Sequence, residues 1–114
     1  MAREIPVLLD FYDVSLDLSK RVLRFPRNLR YGLGLAIERR LQDVLALLVR
    51  AKYAATAEKS PVLRTVNVEL EVLRFQVRQA AELGGLTANG HLHVLKGLET
   101  VGRQVGGWTK ALPS

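Results

Sequence analysis

The sequence predicts an all-α protein, an antiparallel up-down-up-down four-helix bundle formed by one domain over residues 1–114. Apolar residues recur at steps of three and four over four long segments, which is the spacing of one buried helical face. Proline, glycine and N-capping residues separate these segments by short turns. One segment, TVNVELEV (65–72), alternates like a strand, but the helical heptad extends beyond it on both sides. The pattern therefore favours helix throughout.

The first half of the chain predicts two helices. The first runs from Pro6 to Leu23, with aspartates early and basic residues late, an order that suits the helix dipole. Phe25-Pro26 ends it, because the residue before a proline is disfavoured in helical geometry. The second helix runs from Pro26 or Arg27 to Ala57. Its apolar positions fall on more than one face, so we expect it to have more than one packing partner.

The third predicted helix follows a turn in EKSPVLRT (58–65). Ser60 is its expected N-cap and Pro61 its first helical residue, where the missing N–H does no harm. A regular heptad of apolar residues then predicts one buried face. Its positions are Leu63, Val66, Leu70, Leu73, Val77 and Ala80.

The fourth predicted helix begins after LGGLTANG (83–90). Gly84 or Gly85 is expected to end the third helix, and Thr87 to cap the fourth. The fourth helix then extends to Ala111.

Three glycines interrupt the end of this fourth helix, in VGRQVGGWTK (101–110). Each costs roughly 0.5–1 kcal/mol relative to alanine in a helix interior, so their presence needs a packing reason. Gly102 and Gly106 lie four residues apart on one face, where a neighbouring backbone could approach closely. We therefore predict Gly102, Gly106, Gly107 and Trp108 as packing residues. Periodicity leaves open whether the neighbour is a helix of the same chain or another subunit.

Composition limits the classes of function. The net charge is +6, with twelve arginines, five lysines and no cysteine. A small basic protein is typical of a partner of nucleic acid, acidic protein or membrane headgroups, although charge that only maintains solubility is the simpler alternative. Acidic residues interrupt the N-terminal apolar positions, and no apolar run is long enough to span a bilayer. We expect a cytoplasmic protein that does not associate with membranes.

The sequence shows no recognisable catalytic constellation. No serine lies beside a histidine, and no glycine-rich phosphate loop follows a strand. His91 and His93 are two residues apart, so on a helix they point to different sides and cannot share a metal as an i,i+4 pair would. We therefore predict a protein that is not an enzyme, with no catalytic residue, metal or cofactor.

Basic residues concentrate where the first two predicted helices meet. KRVLRFPRNLRYG (20–32) contains five basic residues and no acid, which no salt-bridge ladder explains. In an up-down-up-down bundle, the end of the third helix and the start of the fourth meet at the same end. The bias towards arginine suits phosphate, whose oxygens match the guanidinium fork. The predicted nucleic-acid-binding residues are Lys20, Arg21, Arg24, Arg27, Arg30, Arg39, Arg40, Arg74 and Arg78.

Simpler interpretations stay open for parts of this surface. Glu71, Arg74, Arg78 and Glu82 step by three or four residues and could form an exposed salt-bridge ladder, worth roughly 0.3–0.5 kcal/mol a pair. Tyr31 could stack on a base, but a tyrosine at the edge of the core is the favoured expectation. No recognition-helix or RNA-recognition motif is present, so binding would depend on the phosphate backbone and not on base sequence.

Three segments resemble one known family: FPRNLRYGLG (25–34), KSPVLRTVNVELEVLRFQVRQAAELG (59–84) and VGRQVGGWTK (101–110). They resemble the accessory variability determinant (Avd-like) proteins of diversity-generating retroelements. These proteins belong with the four-helix proteins encoded in intervening sequences of bacterial 23S ribosomal RNA genes. The resemblance extends from about Lys20 onward. The matching residues are Phe25, Pro26, Arg30, Leu73, Arg74, Gly106, Gly107, Trp108 and Lys110.

The resemblance implies a helical bundle that assembles into a homopentamer with a basic surface. It also implies a non-enzymatic accessory protein that binds the element's reverse transcriptase and nucleic acid, template RNA or cDNA, during mutagenic retrohoming. Extra apolar faces and close-packing glycines would then serve subunit contact as well as the core. The alternative is a 23S intervening-sequence-type protein, either an RNA-associated oligomer or a protein-only scaffold.

Overall fold

The structure, a computed structural model, describes residues 4–113. This range contains four helices and no strand, which confirms the all-α class and is compatible with the predicted four-helix bundle. Helix α1 spans Glu4–Val22, α3 spans Thr56–Glu82 and α4 spans Ala88–Ala111. Helix α2 consists of three consecutive segments: an α-helical turn Arg27–Leu29, a π-helical turn Arg30–Gly34 and an α-helix Leu35–Tyr53.

Each helix packs against two neighbours. The packed pairs are α1–α2, α2–α3, α3–α4 and α4–α1, so the helices surround one shared core. Connections of two to five residues join consecutive helices, and such short connections force neighbours to run antiparallel. Gln104 near the end of α4 donates a hydrogen bond of 2.6 Å to Asp10 near the start of α1. The first and last helices are therefore antiparallel too.

The predicted apolar faces form the core. All six heptad positions of α3 are buried, and so is the seam of α4 that ends at Trp108. Residues 65–72, which alternate like a strand in sequence, lie within α3. Only the side chains at the helical spacing, Val66 and Leu70, are buried in the core. Full burial of a leucine or valine side chain stabilises the fold by about 1.5–3 kcal/mol. Shared burial, more than the propensity of any one helix, holds the four together.

The turn between α2 and α3 lies earlier than predicted, and the expectation for EKSPVLRT was wrong. Helix α2 ends at Tyr53, and the extended residues 54–55 lead into α3 at Thr56. Ser60 is therefore not an N-cap, and Pro61 lies inside α3. A proline near the start of a helix does not by itself identify the first residue of that helix. Here α3 begins five residues before Pro61 and continues through it, although Pro61 has no N–H to donate a backbone hydrogen bond.

Lys59 caps the end of α2. Its Nζ atom donates hydrogen bonds of 2.8 and 2.9 Å to the backbone carbonyls of Ala51 and Lys52. These carbonyls belong to the last turn of α2, where no later N–H would satisfy them. A cation at a helix C-terminus also interacts favourably with the helix dipole. These bonds help to end α2 before the predicted Ala57.

The other turn signals are confirmed. Phe25 is a buried residue of the α1–α2 connection, and Pro26 is extended at the start of α2. Gly84 has a φ of +87°, the left-handed conformation that ends many helices and that glycine adopts without steric cost. The side chain of Thr87 accepts a hydrogen bond of 2.9 Å from the backbone N–H of Gly90, so it caps α4 as predicted.

Candidate nucleic-acid interface

The α1–α2 and α3–α4 connections lie together at one end of the bundle, which we call the junction end. A Cβ placed on Gly85 would lie 2.7 Å from Leu29 and 3.1 Å from Phe25. One placed on Gly90 would lie 2.7 Å from the guanidinium of Arg21. The predicted meeting of these four helix ends is therefore confirmed.

Four of the predicted binding residues are exposed cations without an acidic partner. Lys20 and Arg24 lie at the end of α1 and its connection, Arg27 begins α2, and Arg39 lies further along α2. Among the side chains that the structure describes, no carboxylate oxygen lies within 4.0 Å of any of the four. Cations in this state can bind phosphate without first breaking an ion pair.

Arg30 occupies the π-helical turn and is held in place by its neighbours. Its Nη1 atom donates to the carbonyl of Leu23 at 3.2 Å, and its Nη2 atom donates to the Tyr31 hydroxyl at 2.8 Å. The guanidinium carbon lies 4.7 Å from the centroid of the Tyr31 ring. Tyr31 is 58% exposed, so the expectation of a tyrosine at the edge of the core was wrong. This exposed tyrosine lies within the π-helical turn.

Arg21 is half-buried and paired. Its Nε atom donates to Oδ2 of Asp17 at 2.8 Å, the i,i+4 geometry that stabilises exposed helices. The same carboxylate oxygen lies 3.9 Å from Nε2 of the exposed His93 on α4. Part of the positive charge at the junction end is thus neutralised within the chain.

Arg40 joins two helices. Its Nη1 atom contacts Oε1 of Glu69 at 2.5 Å, and its Nε atom donates to Oε1 of Gln76 at 3.0 Å. The Arg40 and Glu69 side chains are only 26% and 23% exposed. This geometry assigns Arg40 to the α2–α3 contact, where its Nε and Nη1 atoms already have partners.

Arg74 and Arg78 each pair with an acid of the same helix. Arg74 contacts Glu71 at 3.1 Å, and Arg78 contacts Glu82 at 2.9 Å. These two pairs, at i,i+3 and i,i+4, belong to the exposed salt-bridge ladder that the sequence analysis gave as the alternative to a phosphate-binding surface. The Arg78–Glu82 pair is largely exposed and can open to a competing phosphate at little cost.

Phe75, between these two arginines, was missed by the sequence analysis. It lies off the α3 heptad and is exposed, beside a groove of about 220 Å³ between α3 and α4. Arg74, Arg78 and His91 also line this groove. The only sequence signal was an aromatic residue outside the predicted core positions.

The predicted packing residues have different surroundings. Trp108 is buried in the core. A Cβ on Gly102 would lie 2.6 Å from Nη2 of Arg74, so the nearest neighbour there belongs to the same chain. A Cβ on Gly106 would meet no atom within 4 Å. Gly107 is half-buried. The close approach of two helices occurs instead at Gly97, where a Cβ would lie 2.6 Å from Val14.

The two histidines have unlike surroundings. His91 is half-buried, and its Nε2 atom is buried without a hydrogen-bond partner among the residues described. His93 is exposed. Among the side chains that the structure describes, no group of three or more His, Cys, Asp or Glu residues is placed to hold a metal ion. In the same part of the chain, no helix is long and apolar enough to cross a membrane.

Comparison with known proteins identifies the family. The family model described as bAvd-like matches residues 11–112, which includes almost all of the four helices. A comparison with curated proteins returned no match. The matched region contains the junction end, the α3 heptad and the glycine-rich end of α4. The chain therefore belongs to the bAvd-like family.

Proposed function

We propose that this chain is a non-enzymatic accessory protein of a diversity-generating retroelement, acting in the cytoplasm during mutagenic retrohoming. Family membership supports the accessory role in such elements. In this proposal the chain binds nucleic acid, template RNA or cDNA, and the reverse transcriptase of the element. The observation that carries the nucleic-acid part is the group of exposed, unpaired cations at the junction end and along α2.

The chemistry of this group suits a phosphate backbone. Lys20, Arg24 and Arg27 come from the end of α1, its connection and the start of α2, so one compact surface presents three cations. The net charge of +6 adds a longer-range attraction for a polyanion. Contacts to phosphate carry no base information, so we expect binding that is largely independent of sequence.

Self-association is the second part of the proposal, with a homopentamer as the assembly that the resemblance implies. Large apolar side chains remain exposed on the outer faces of the helices. Among them are Leu9, Tyr12 and Leu16 on α1 and Val68 and Phe75 on α3. Contiguous exposed apolar surface is typical of protein contact sites. The open space beside Gly106 supports a subunit contact at the end of α4.

A 23S intervening-sequence-type protein with the same fold is the alternative. Gene neighbourhood distinguishes the two: a reverse transcriptase gene and an imperfect repeat pair beside this gene support the retroelement role. In a protein-only scaffold, the arginines would instead pair with acids of other subunits. Nucleic-acid binding and its salt dependence separate that possibility from ours.

The decisive experiment measures binding of labelled structured RNA and duplex DNA across a salt series. The test variant carries Lys20→Gln, Arg24→Gln and Arg27→Gln. A matched control carries Arg50→Gln, Arg64→Gln and Arg103→Gln, three exposed arginines outside the proposed surface. Both variants have the same net charge, so any difference between them reports position and not total charge.

We expect the test variant to lose about 0.7–0.9 units of log-log salt slope for each phosphate contact removed. The control variant should keep a slope close to that of the wild type. Equal losses in the two variants would refute a localised surface, and failure of the wild type to bind either nucleic acid at low salt would refute nucleic-acid binding. Light scattering tests the pentamer, and co-purification with the element's reverse transcriptase tests that partner.

A further inference from the structure

Tyr31 presents an exposed aromatic ring at the junction end. The residue is 58% exposed and is the second residue of the π-helical turn. The next residue is Gly32, where an added Cβ would meet no atom within 4 Å. More than half of Tyr31 is accessible to solvent, so a planar group can approach the ring from the side that Arg30 does not cover.

Arg30 fixes the orientation of this ring. The guanidinium lies over the ring and also donates to its hydroxyl, while a second donor atom of the same guanidinium reaches the carbonyl of Leu23. These contacts connect Tyr31 to the α1–α2 connection. An aromatic ring that is already oriented loses less conformational freedom when it binds a ligand.

The unpaired cations Arg24 and Arg27 precede this ring by seven and four residues and lie at the same end of the bundle. Consecutive nucleotides place a phosphate on either side of each base, so a base on the ring would bring its phosphates towards these cations. In a duplex the bases stack on one another and are not available to a side chain, whereas an unpaired base exposes its face.

We propose that Tyr31, oriented by Arg30, is a stacking platform for an unpaired base, and that the junction end prefers single-stranded RNA or DNA to duplex. This inference rests on the proposed nucleic-acid binding and adds the class of nucleic acid to it. The phosphate contacts supply affinity for any polyanion. The ring supplies the discrimination, because only a single strand offers it a base.

Tyr53 provides a matched control within the chain. It is also exposed, at 76%, and the ammonium of Lys52 lies 5.2 Å from its ring centroid. However, Tyr53 ends α2 at the opposite end of the bundle. Its cation, the ammonium of Lys52, is a point charge with no planar surface, unlike the guanidinium of Arg30. An exposed tyrosine beside a cation is thus present at both ends, but only Tyr31 is oriented.

The test compares wild type, Tyr31→Ala, Tyr31→Phe and Tyr53→Ala by fluorescence anisotropy. The probes are an unstructured labelled single-stranded RNA and a duplex RNA of the same sequence and length, each measured across a salt series. Circular dichroism and thermal unfolding check that every variant is folded. Because Tyr31 is exposed and outside the core, we expect all four proteins to fold.

Tyr31→Ala should weaken single-strand binding by about tenfold, the effect expected for loss of one stacked base. Duplex affinity should change by less than about twofold, and the salt slope should be unchanged because no phosphate contact is removed. Tyr31→Phe should retain the preference for single strands, since the ring remains. Tyr53→Ala should behave like the wild type with both probes.

Three outcomes would overturn the inference. These are unchanged single-strand binding by Tyr31→Ala, an equal loss for single strand and duplex, or an equal loss in Tyr53→Ala. In each of them wild type still binds nucleic acid, so the proposed function stands while the platform fails. If the wild type binds neither probe at low salt, both proposals fail.

Discussion

The guanidinium of Arg74 on α3 occupies the space that a side chain at position 102 of α4 would need. Its Nη2 atom lies 2.6 Å from where a Cβ would stand on Gly102. The packing of this single chain therefore explains why a glycine occurs in the interior of α4. The side chain of Arg74 on α3 extends over the backbone of α4 at this position. The same arginine contacts Glu71 through Nη1, so it links the α3 ladder to α4.

We expect Gly102→Ala to stabilise the fold more when Arg74 is absent than when it is present. In an Arg74→Ala background, alanine should gain roughly 0.5–1 kcal/mol of helix propensity. In the wild-type background the new methyl group must first displace the guanidinium, so the gain should be smaller or lost. Urea denaturation of the four proteins in this double-mutant cycle measures the coupling. Additive effects would argue against a steric contact between the two positions.

Gly97→Ala should destabilise the fold by about 1–3 kcal/mol, the cost of overpacking a close helix contact. A Cβ at this position would lie 2.6 Å from Cγ2 of Val14, and valine has little rotamer freedom in a helix. Thermal and chemical denaturation give the change in free energy of unfolding. In a Val14→Ala background, Gly97→Ala should destabilise the fold much less, because the clashing methyl group is gone. If Gly97→Ala lowers the free energy of unfolding equally in both backgrounds, contact with Val14 is not the cause.

Gly106→Ala should stabilise the isolated chain by roughly 0.5–1 kcal/mol, because the position is helical and the added Cβ meets no atom within 4 Å. The bulkier Gly106→Leu should leave the helical content unchanged but lower the mass measured by light scattering, if the end of α4 forms the proposed subunit contact. An unchanged mass in Gly106→Leu would place the contact elsewhere on the surface.

Pro61→Ala should increase the free energy of unfolding by about 1 kcal/mol. Proline inside a helix removes one backbone hydrogen bond, and Pro61 lies within α3 on its exposed side. Pro26→Ala is the matched control, because Pro26 lies in a connection where proline restricts the unfolded chain, and its loss should cost about 0.4–1 kcal/mol. Urea denaturation should therefore give opposite signs, and destabilisation by Pro61→Ala would contradict the observed helix boundary.

Arg40→Ala should destabilise the fold by about 1–2 kcal/mol, because it leaves the half-buried Glu69 without its cation. Arg78→Ala should change stability by less than about 0.5 kcal/mol, since its pair with Glu82 is largely exposed. Equilibrium denaturation in low and high salt checks both. If both substitutions change the free energy of unfolding equally, the difference in burial between the two ion pairs does not determine their contribution to stability.

Much of the fold was predictable from residue spacing, whereas the state of the cationic residues was not. The heptad from Leu63 to Ala80 predicted the buried face of α3 position by position. The same kind of spacing predicted a turn at Ser60 and Pro61, where the chain is helical. At the actual turn, Lys59 of α3 donates to the last carbonyls of α2, a contact between different helices. Local capping signals do not contain that information.

The sequence by itself determined the helix number, the buried faces and the concentration of basic residues at one end. It could do so because apolar burial repeats with the helical period and short turns force antiparallel neighbours. Only the tertiary structure decided which cations are free. Glu69 neutralises Arg40 from 29 residues away, while Lys20 and Arg27 have no acid within reach among the described residues. Ion pairing depends on which carboxylates the packed helices bring within about 4 Å, and spacing along one helix cannot report that distance.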